Sequence, residues 1–197
     1  FSARNAAGGT PIWNIVSAYD LSGNAISLNS IDSGLRIAFY DALNRLVHQW
    51  DSRGVHSHRE YDAMNRLTQI YVDGALGLQQ VVERIRYGTD AATNSIGRRV
   101  ELRDSSGLLG DGPFDLNGLP MSSSLQLRVD YTQEVDWSPG HTVALEPPYT
   151  TQYERNAFEQ VFVKVCADGS RQHSRYYAIG WLAASELTLA GSAAPSQ

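Results

Sequence analysis

Three histidines in the first half of the sequence have the residue type and spacing of metal ligands. His56 and His58 are two residues apart, so in a strand their side chains point to the same face. His48 would approach that face from the paired strand, and imidazole is a common zinc ligand. No cysteine, aspartate or glutamate at a useful spacing completes the set. A metal-dependent enzyme is therefore one hypothesis, and the polar outer face of a hairpin is the simpler one.

The single cysteine suggests a second chemistry. Cys166 and His173 flank Asp168-Gly169 on opposite strands of a predicted hairpin, where a thiolate and a base could meet. A small buried residue is the simpler interpretation of Cys166. The sequence contains no Gly-x-Ser-x-Gly elbow and no glycine loop that cradles phosphate groups. We expect no catalytic residue, no cofactor and no bound metal.

Length and composition narrow the class of protein. At 197 residues the chain is one ordinary domain or a slice of something larger. With 42% hydrophobic and 19% charged residues it resembles soluble globular proteins, and no apolar run is long enough for a membrane span. The net charge of −5 without a basic block argues against nucleic acid. One cysteine excludes an internal disulfide, and the start at Phe1 indicates a processed product or a piece of a longer polypeptide.

A repeat dominates the first half. Tyr-Asp pairs recur every 21 residues, and the third residue after each aspartate is glycine or asparagine. Aspartate at the first corner of a turn bonds to nearby backbone N–H groups, while the fourth position needs a left-handed backbone that Gly and Asn tolerate. The units are Tyr19-Asp20…Gly23, Tyr40-Asp41…Asn44-x-Leu46 and Tyr61-Asp62…Asn65-x-Leu67.

The same turn pattern recurs with less regularity. Asp51…Gly54, Asp104…Gly107 and Asp115…Gly118 share it, while Asp73-Gly74 and Asp168-Gly169 fit two-residue hairpin loops. Short segments rich in β-branched and aromatic residues separate the turns, so each repeat is predicted to be a hairpin. A short helical turn is predicted near residues 90–95 and a long loop at 131–148.

The predicted fold is all-β, a ribbon of consecutive antiparallel hairpins. We expect one segment over residues 1–197. Its parts are regular repeats at 15–74, an irregular insert at 75–152, hairpin repeats at 153–189 and a flexible tail at 190–197.

Aromatic residues could also bind a ligand. Ten tyrosines accompany Trp13, Trp50, Trp137 and Trp181, whose rings could stack on sugars. A tyrosine at a fixed place in each repeat is also what a packed ladder of cross-strand aromatics requires. Packing is the main prediction, and carbohydrate binding is the alternative.

The segment Tyr40-Asp41-x-x-Asn44-Arg45-Leu46 and its copy at 61–67 resemble the Rhs or YD-repeat proteins, large bacterial polymorphic toxins that include the B and C components of insecticidal toxin complexes. The resemblance is strong from Tyr19 to Asp73 and weaker at 98–127 and 153–182. It implies a β ribbon that spirals into a shell around a toxic C-terminal segment. The partners it implies are the rest of that shell and the enclosed polypeptide, in a secreted or bacterial surface protein.

One departure from that family concerns self-cleavage. The family cuts off its payload with aspartates in Asp-Pro-x-Gly-Leu units, and Asp104 and Asp115 begin Asp-x-x-Gly-Leu units without the proline. Both are therefore interpreted as turns.

The predicted function is a non-catalytic structural part of a toxin shell, and the alternative is a module that binds surface glycans. The predicted signature residues, as architecture, are Tyr19, Asp20, Gly23, Tyr40, Asp41, Asn44, Leu46, Tyr61, Asp62, Asn65, Leu67, Asp115 and Gly118.

Overall fold

The structure is a computed structural model that describes residues 2–3, 12–73 and 78–192. Strands β1 (Ser2–Ala3) and β2 (Ile12–Trp13) form a small antiparallel pair. The other strands of the first half are β3 (Ile15–Tyr19), β4 (Ala25–Ser30), β5 (Gly34–Tyr40), β6 (Leu46–Trp50), β7 (His56–Tyr61) and β8 (Leu67–Asp73). The second half contains β9 (Gln79–Tyr87), β10 (Arg99–Arg103), β11 (Gly107–Asp111), β12 (Ser122–Leu127), β13 (Tyr149–Arg155), β14 (Val161–Val165), β15 (Arg171–Tyr176) and β16 (Leu182–Thr188).

Strands β3 to β16 follow one another in sequence order across a 14-stranded sheet. The registers are antiparallel, as expected when short turns join successive strands. The described residues contain no helix, and the predicted all-β fold of consecutive hairpins is confirmed. The predicted helical turn near 90–95 is a hydrogen-bonded turn, in which the N–H of Asn94 donates to the carbonyl of Ala91 over 3.1 Å.

The described residues divide into two compact units. The first lies within 1–83 together with 136–141, and the second lies within 84–135 together with 142–197. The predicted Asp73-Gly74 loop and most of the predicted tail lie outside the described residues.

In the first unit each repeat tyrosine lies at a break in the strand register. The register shifts fall between Ala18 and Tyr19, between Phe39 and Tyr40, and between Glu60 and Tyr61. Such bulges increase the local twist and re-aim side chains. The bulge therefore recurs with the repeat, directly before each Asp-led turn.

The predicted loop at 131–148 contributes to the first unit through a specific clamp. The carboxylate of Asp136 accepts a hydrogen bond from the N–H of Val81 at 3.1 Å, and the N–H of Trp137 donates to the carbonyl of Val81 at 2.8 Å. Trp137 is buried, and Val81 is 1% exposed. The loop thus satisfies both backbone polar groups of a buried residue.

Most side chains of the sheet are half-buried or exposed. The buried apolar residues of the described part are few: Val81, Phe114, Val135, Trp137 and Val163. A sheet with little packed on its faces relies on strand pairing and turn chemistry more than on a thick core.

Candidate functional site: the repeat turns and the histidine cluster

Eight turns of the described chain share one backbone geometry over five positions. The N–H of position 4 donates to the carbonyl of position 1, and the N–H of position 1 donates to the carbonyl of position 5. This is the hairpin loop in which a type I turn is followed by a left-handed residue. The residues at position 1 are Asp20, Asp41, Asp51, Asp62, Asp115, Asn156, Cys166 and Tyr177.

Aspartate at position 1 organises the turn through both carboxylate oxygens. In Asp62, Oδ1 accepts from the N–H groups of Met64 and Arg66 at 2.9 Å each, while Oδ2 accepts from the Arg66 side chain at 2.8 Å. The hydrogen bond from the Arg66 side chain is the main reason that the pKa of Asp62 lies below its ordinary value. Asp41 makes the same bonds with Leu43 and Arg45.

Position 4 has the left-handed backbone that the sequence pattern predicts. Gly23 and Gly118 have φ of 87° and 84°, while Asn44 and Asn65 have φ of 61° and 64°. Glu159 occupies the same position with φ of 64°. Residues other than glycine, asparagine and aspartate are uncommon in this region, so Glu159 carries backbone strain that glycine would not.

At three of these turns, position 5 donates a hydrogen bond to the next turn on the same edge, a role that the repeat pattern does not predict. In the first unit Asn24 Nδ2 donates to Asn44 Oδ1 at 2.9 Å, and Arg45 Nη1 donates to Asn65 Oδ1 at 2.7 Å. In the second unit Gln160 Nε2 donates to the carbonyl of Gly180 at 2.7 Å. The sequence signal was a polar hydrogen-bond donor directly after the left-handed residue.

The repeat tyrosines are placed by contacts to neighbouring strands. The hydroxyl of Tyr61 donates to the carbonyl of Leu46 at 2.8 Å, and the guanidinium of Arg45 lies 4.7 Å from the Tyr61 ring centre. Tyr176, which has the same spacing to its turn as Tyr61, donates to the carbonyl of Val161 at 3.0 Å. Tyr40 and Leu67 are half-buried, whereas Tyr19 on the outermost strand β3 is exposed.

Two predicted turns differ in detail from the common geometry. At Asp104 the N–H donates to the carbonyl of Gly107 at 3.0 Å, which closes a tighter loop between β10 and β11. Asp168-Gly169 is not a two-residue loop, because the common five-position turn begins at Cys166. Asp168 therefore occupies position 3, where its carboxylate accepts from the N–H of Ser170 at 2.9 Å.

The three histidines lie together on one face of the first unit. His48 pairs with His58 across β6 and β7, and its ring centre lies 4.8 Å from that of His58 and 5.2 Å from that of His56. The rings stack on one another, and among the described residues no group of three metal-ligating side chains could hold a metal ion. The spatial grouping matches the sequence prediction, but the ring arrangement is that of a stack.

The cysteine and histidine of the second half are not brought together by the strand register. His173 pairs with Val163, and the β14–β15 ladder ends at the pair Val165 and Arg171. Cys166 lies beyond that pair, where its N–H donates to the carbonyl of Ser170. The thiolate and base hypothesis therefore finds no geometric support.

The tryptophans are placed in different environments. Trp50 stacks on His56 with ring centres 4.7 Å apart, so one of its faces is covered. Trp137 is buried, while Trp13 in the first unit and Trp181 in the second are exposed. No observation here favours sugar stacking over packing.

A family model matches part of the repeat region. The family described as RHS Repeat matches residues 40–76, which contain two of the Tyr-Asp units. No curated protein matches the sequence. No helix in the described part is both long and apolar enough to cross a membrane.

Solved structures are similar over most of the chain. The crystal structure of TcdB2-TccC3 has a TM-score of 0.84 at 27% identity and covers 91% of this chain. The same assembly without its hypervariable C-terminal region gives 0.83 at 28% identity over 91%. The Tc holotoxin pore of Photorhabdus luminescens gives 0.84 at 28% identity over 93%. This chain spans only 9% of the length of each matched chain.

Proposed function

We propose that this chain, which carries the repeats of the Rhs or YD-repeat family, is a non-catalytic structural segment of a YD-repeat shell that encloses and delivers a toxic polypeptide. The observation that carries the proposal is the similarity to TcdB2-TccC3 over 91% of the chain at a TM-score of 0.84. That similarity extends well beyond residues 40–76, where the family match lies.

The chemistry of the repeat supports a structural role. The carboxylates of Asp41 and Asp62 are engaged by the backbone and side chains of their own turns. The amide oxygens of Asn44 and Asn65 accept from the preceding turn. A carboxylate whose oxygens already accept hydrogen bonds within its own turn is not positioned to act as a general acid or base on a substrate.

The partners follow from the same proposal. The segment would pair with further YD repeats of the parent shell, and the shell would surround the toxic polypeptide of a secreted toxin complex. Within the described residues the outermost strands β3 and β16 each pair on one side only, which leaves backbone groups for further strands.

The first test is the coding sequence on both sides of this segment. Further Tyr-Asp units followed three residues later by Gly or Asn are expected before it and after it. A stop codon directly after the segment together with a signal peptide directly before it would contradict the shell role.

The second test is protease protection in the parent polypeptide. The enclosed polypeptide should resist digestion in the unaltered protein and become sensitive when Asn44 and Asn65 are both replaced by proline, which cannot adopt a positive φ. Arg53→Met, at an exposed turn position, is the matched control and should leave protection intact. Equal digestion in all three proteins would exclude enclosure by this segment.

Carbohydrate binding remains a prediction that no described contact favours. Its direct test is a glycan array probed with the 197-residue chain. Binding that is lost on Trp181→Ala would support carbohydrate binding by the chain. An array without signal would refute it.

A further inference from the structure

The inner strands of the first unit contain an unusual concentration of imidazoles. Trp50 pairs with His56 and His48 pairs with His58, so four rings lie on adjacent strands of one sheet face. The row continues to Tyr71, whose ring centre is 5.6 Å from that of His58. Planes of neighbouring rings along this row differ by 13° to 26°. We call His48, His56 and His58 the histidine cluster.

A hydrogen-bond chain fixes the protons of the cluster at neutral pH. His56 Nδ1 lies 2.8 Å from Asp73 Oδ2, and an ionised carboxylate can only accept, so His56 Nδ1 carries the proton. In the neutral ring Nε2 is then the acceptor. His48 Nδ1 lies 3.0 Å from this atom and must be the donor. His48 and His56 therefore each have one defined tautomer in the neutral state.

This arrangement tolerates added protons poorly. If His48 and His56 are both charged, two N–H groups face each other over 3.0 Å with no lone pair between them, and the hydrogen bond is lost. The charges would also lie within stacked rings whose centres are about 5 Å apart, where like charges repel. Burial, then the charges of His58 and His56, lower the pKa of His48 below its ordinary value.

A positive charge on His56 would face the Asp73 carboxylate, whereas a second charge on His48 would face the charged His56 ring and has no hydrogen-bonded carboxylate among the described residues. Strand β5 contributes Ile37 and Phe39 opposite Trp50 and His48, and neither titrates. The carboxylate of Glu60 on β7 accepts hydrogen bonds from the Tyr71 hydroxyl and the Gln69 amide. Asp73 on β8 is the carboxylate that contacts the cluster directly, through His56.

We propose that the histidine cluster is a proton-sensitive element that stabilises β6, β7 and β8 at neutral pH and loosens them on acidification. The direction follows from linkage. A histidine whose folded-state pKa is lowered is neutral in the folded chain while already charged in the unfolded chain, so the unfolded chain binds more protons. The stability contribution is complete above the ordinary histidine pKa of about 6.5 and is lost as the pH falls from there through the lowered value.

Hydrogen exchange at defined pH tests the proposal on the 197-residue chain. Amide protection, corrected for the intrinsic pH dependence of exchange, is measured at about pH 7.5 and about pH 5, on either side of the ordinary histidine range. Protection in β6 to β8 should fall, by at most the roughly thirtyfold that one histidine with an unfolded pKa of about 6.5 can supply at pH 5. Protection in β13 to β16 should change little. Equal protection of β6 to β8 at both pH values would overturn the proposal.

Two variants separate the cluster from general acid effects. His48→Gln keeps an N–H donor for His56 Nε2 but does not titrate, so the loss of protection in β6 to β8 should largely disappear. His173→Gln removes an exposed histidine of the second unit and should behave like the unaltered chain. The proposal fails if His48→Gln loses protection as strongly as the unaltered chain does.

Nuclear magnetic resonance of the unaltered protein tests the proposal without requiring that a variant folds. The ring resonances of His48 should titrate below the ordinary histidine pKa of about 6.5. A His48 titration at or above the ordinary histidine value would refute the proposal. This inference concerns local stability and does not depend on the proposed shell role.

Discussion

The positive φ of the residue at turn position 4 limits which side chains this position accepts. Asn44 and Asn65 adopt positive φ and also accept a hydrogen bond from the preceding turn. Glycine adopts the conformation more easily but has no side chain to accept this bond. Asparagine thus combines a tolerated backbone conformation with a contact between repeats.

Asn44→Val should lower the free energy of unfolding by about 1–2 kcal/mol, because a β-branched residue resists the left-handed conformation. Chemical denaturation of the unaltered and variant chains measures the difference. Asn44→Gly is the matched control. It keeps the backbone free and removes only the contact with Asn24, so its cost should be smaller. Equal costs for the two variants would show that the side-chain contact, and not φ, sets the choice of residue.

Glu159 presents the opposite case, since its φ of 64° has no evident compensation from its side chain. Glu159→Gly should raise the free energy of unfolding by about 0.5–1 kcal/mol, the relief of backbone strain less the entropy that glycine adds to the unfolded chain. Ala157→Gly, at position 2 of the same turn, should destabilise because it adds that entropy without relieving strain. A destabilised Glu159→Gly protein would indicate an unrecognised contact of the glutamate.

At the scale of elements, neighbouring hairpins are joined by strand pairing and, at three turns, by a hydrogen bond to the next turn. Arg45 makes one of these contacts. It pairs with Asp41 at 2.6 Å, donates to Asn65 at 2.7 Å and covers the Tyr61 ring. Arg53 is a useful contrast, because its side chain is 81% exposed and pairs only with Asp51 of its own turn.

Arg45→Met should therefore destabilise the first unit by about 1 kcal/mol, the usual net value of a lost hydrogen bond with a partner left behind. Arg53→Met should have little effect, since an exposed ion pair within one turn is weak. Denaturation of both variants under identical salt conditions gives the comparison. If both cost the same, contacts between turns do not contribute to stability.

Local chemistry explains which elements were predictable from the sequence. The turn at Asp62 was predictable because its carboxylate bonds to residues two and four positions ahead. The turn at Cys166 was misjudged as a two-residue loop, because its aspartate lies at position 3 instead of position 1. The clamp of Trp137 on Val81 was not predictable, since residues distant in sequence meet only in the folded chain.

The candidate sites show the same limit. Strand alternation and pairing were sufficient to bring His48, His56 and His58 to one face. They did not predict that the rings would stack, which depends on the register between β6 and β7. Nor did they predict that Asp73 would fix the tautomer of His56, which depends on the register between β7 and β8. Register likewise kept Cys166 from meeting His173, because it places Val163 opposite the histidine.

At the scale of the whole molecule, the sheet order leaves one side of β3 and one side of β16 without a partner strand in the described chain. Both strands also carry exposed apolar residues, among them Val16 and Leu187. Unpaired edges with apolar side chains are templates for association, and proteins that avoid it place charges there. A segment that continues into further strands, as proposed above, would need no such protection.

The 197-residue chain should therefore self-associate at micromolar concentrations, and sedimentation velocity over a dilution series measures this directly. The double variant Val16→Lys and Leu187→Lys puts a charge on each edge strand and should shift the chain toward monomer. Leu43→Lys replaces an exposed leucine of a turn, so it adds a charge away from the edges and should sediment like the unaltered chain. If Leu43→Lys prevents association as well as the edge variant does, the cause is general surface hydrophobicity. A chain that stays monomeric throughout the series would mean that its edges are already protected, which would weaken its proposed place inside a continuous shell.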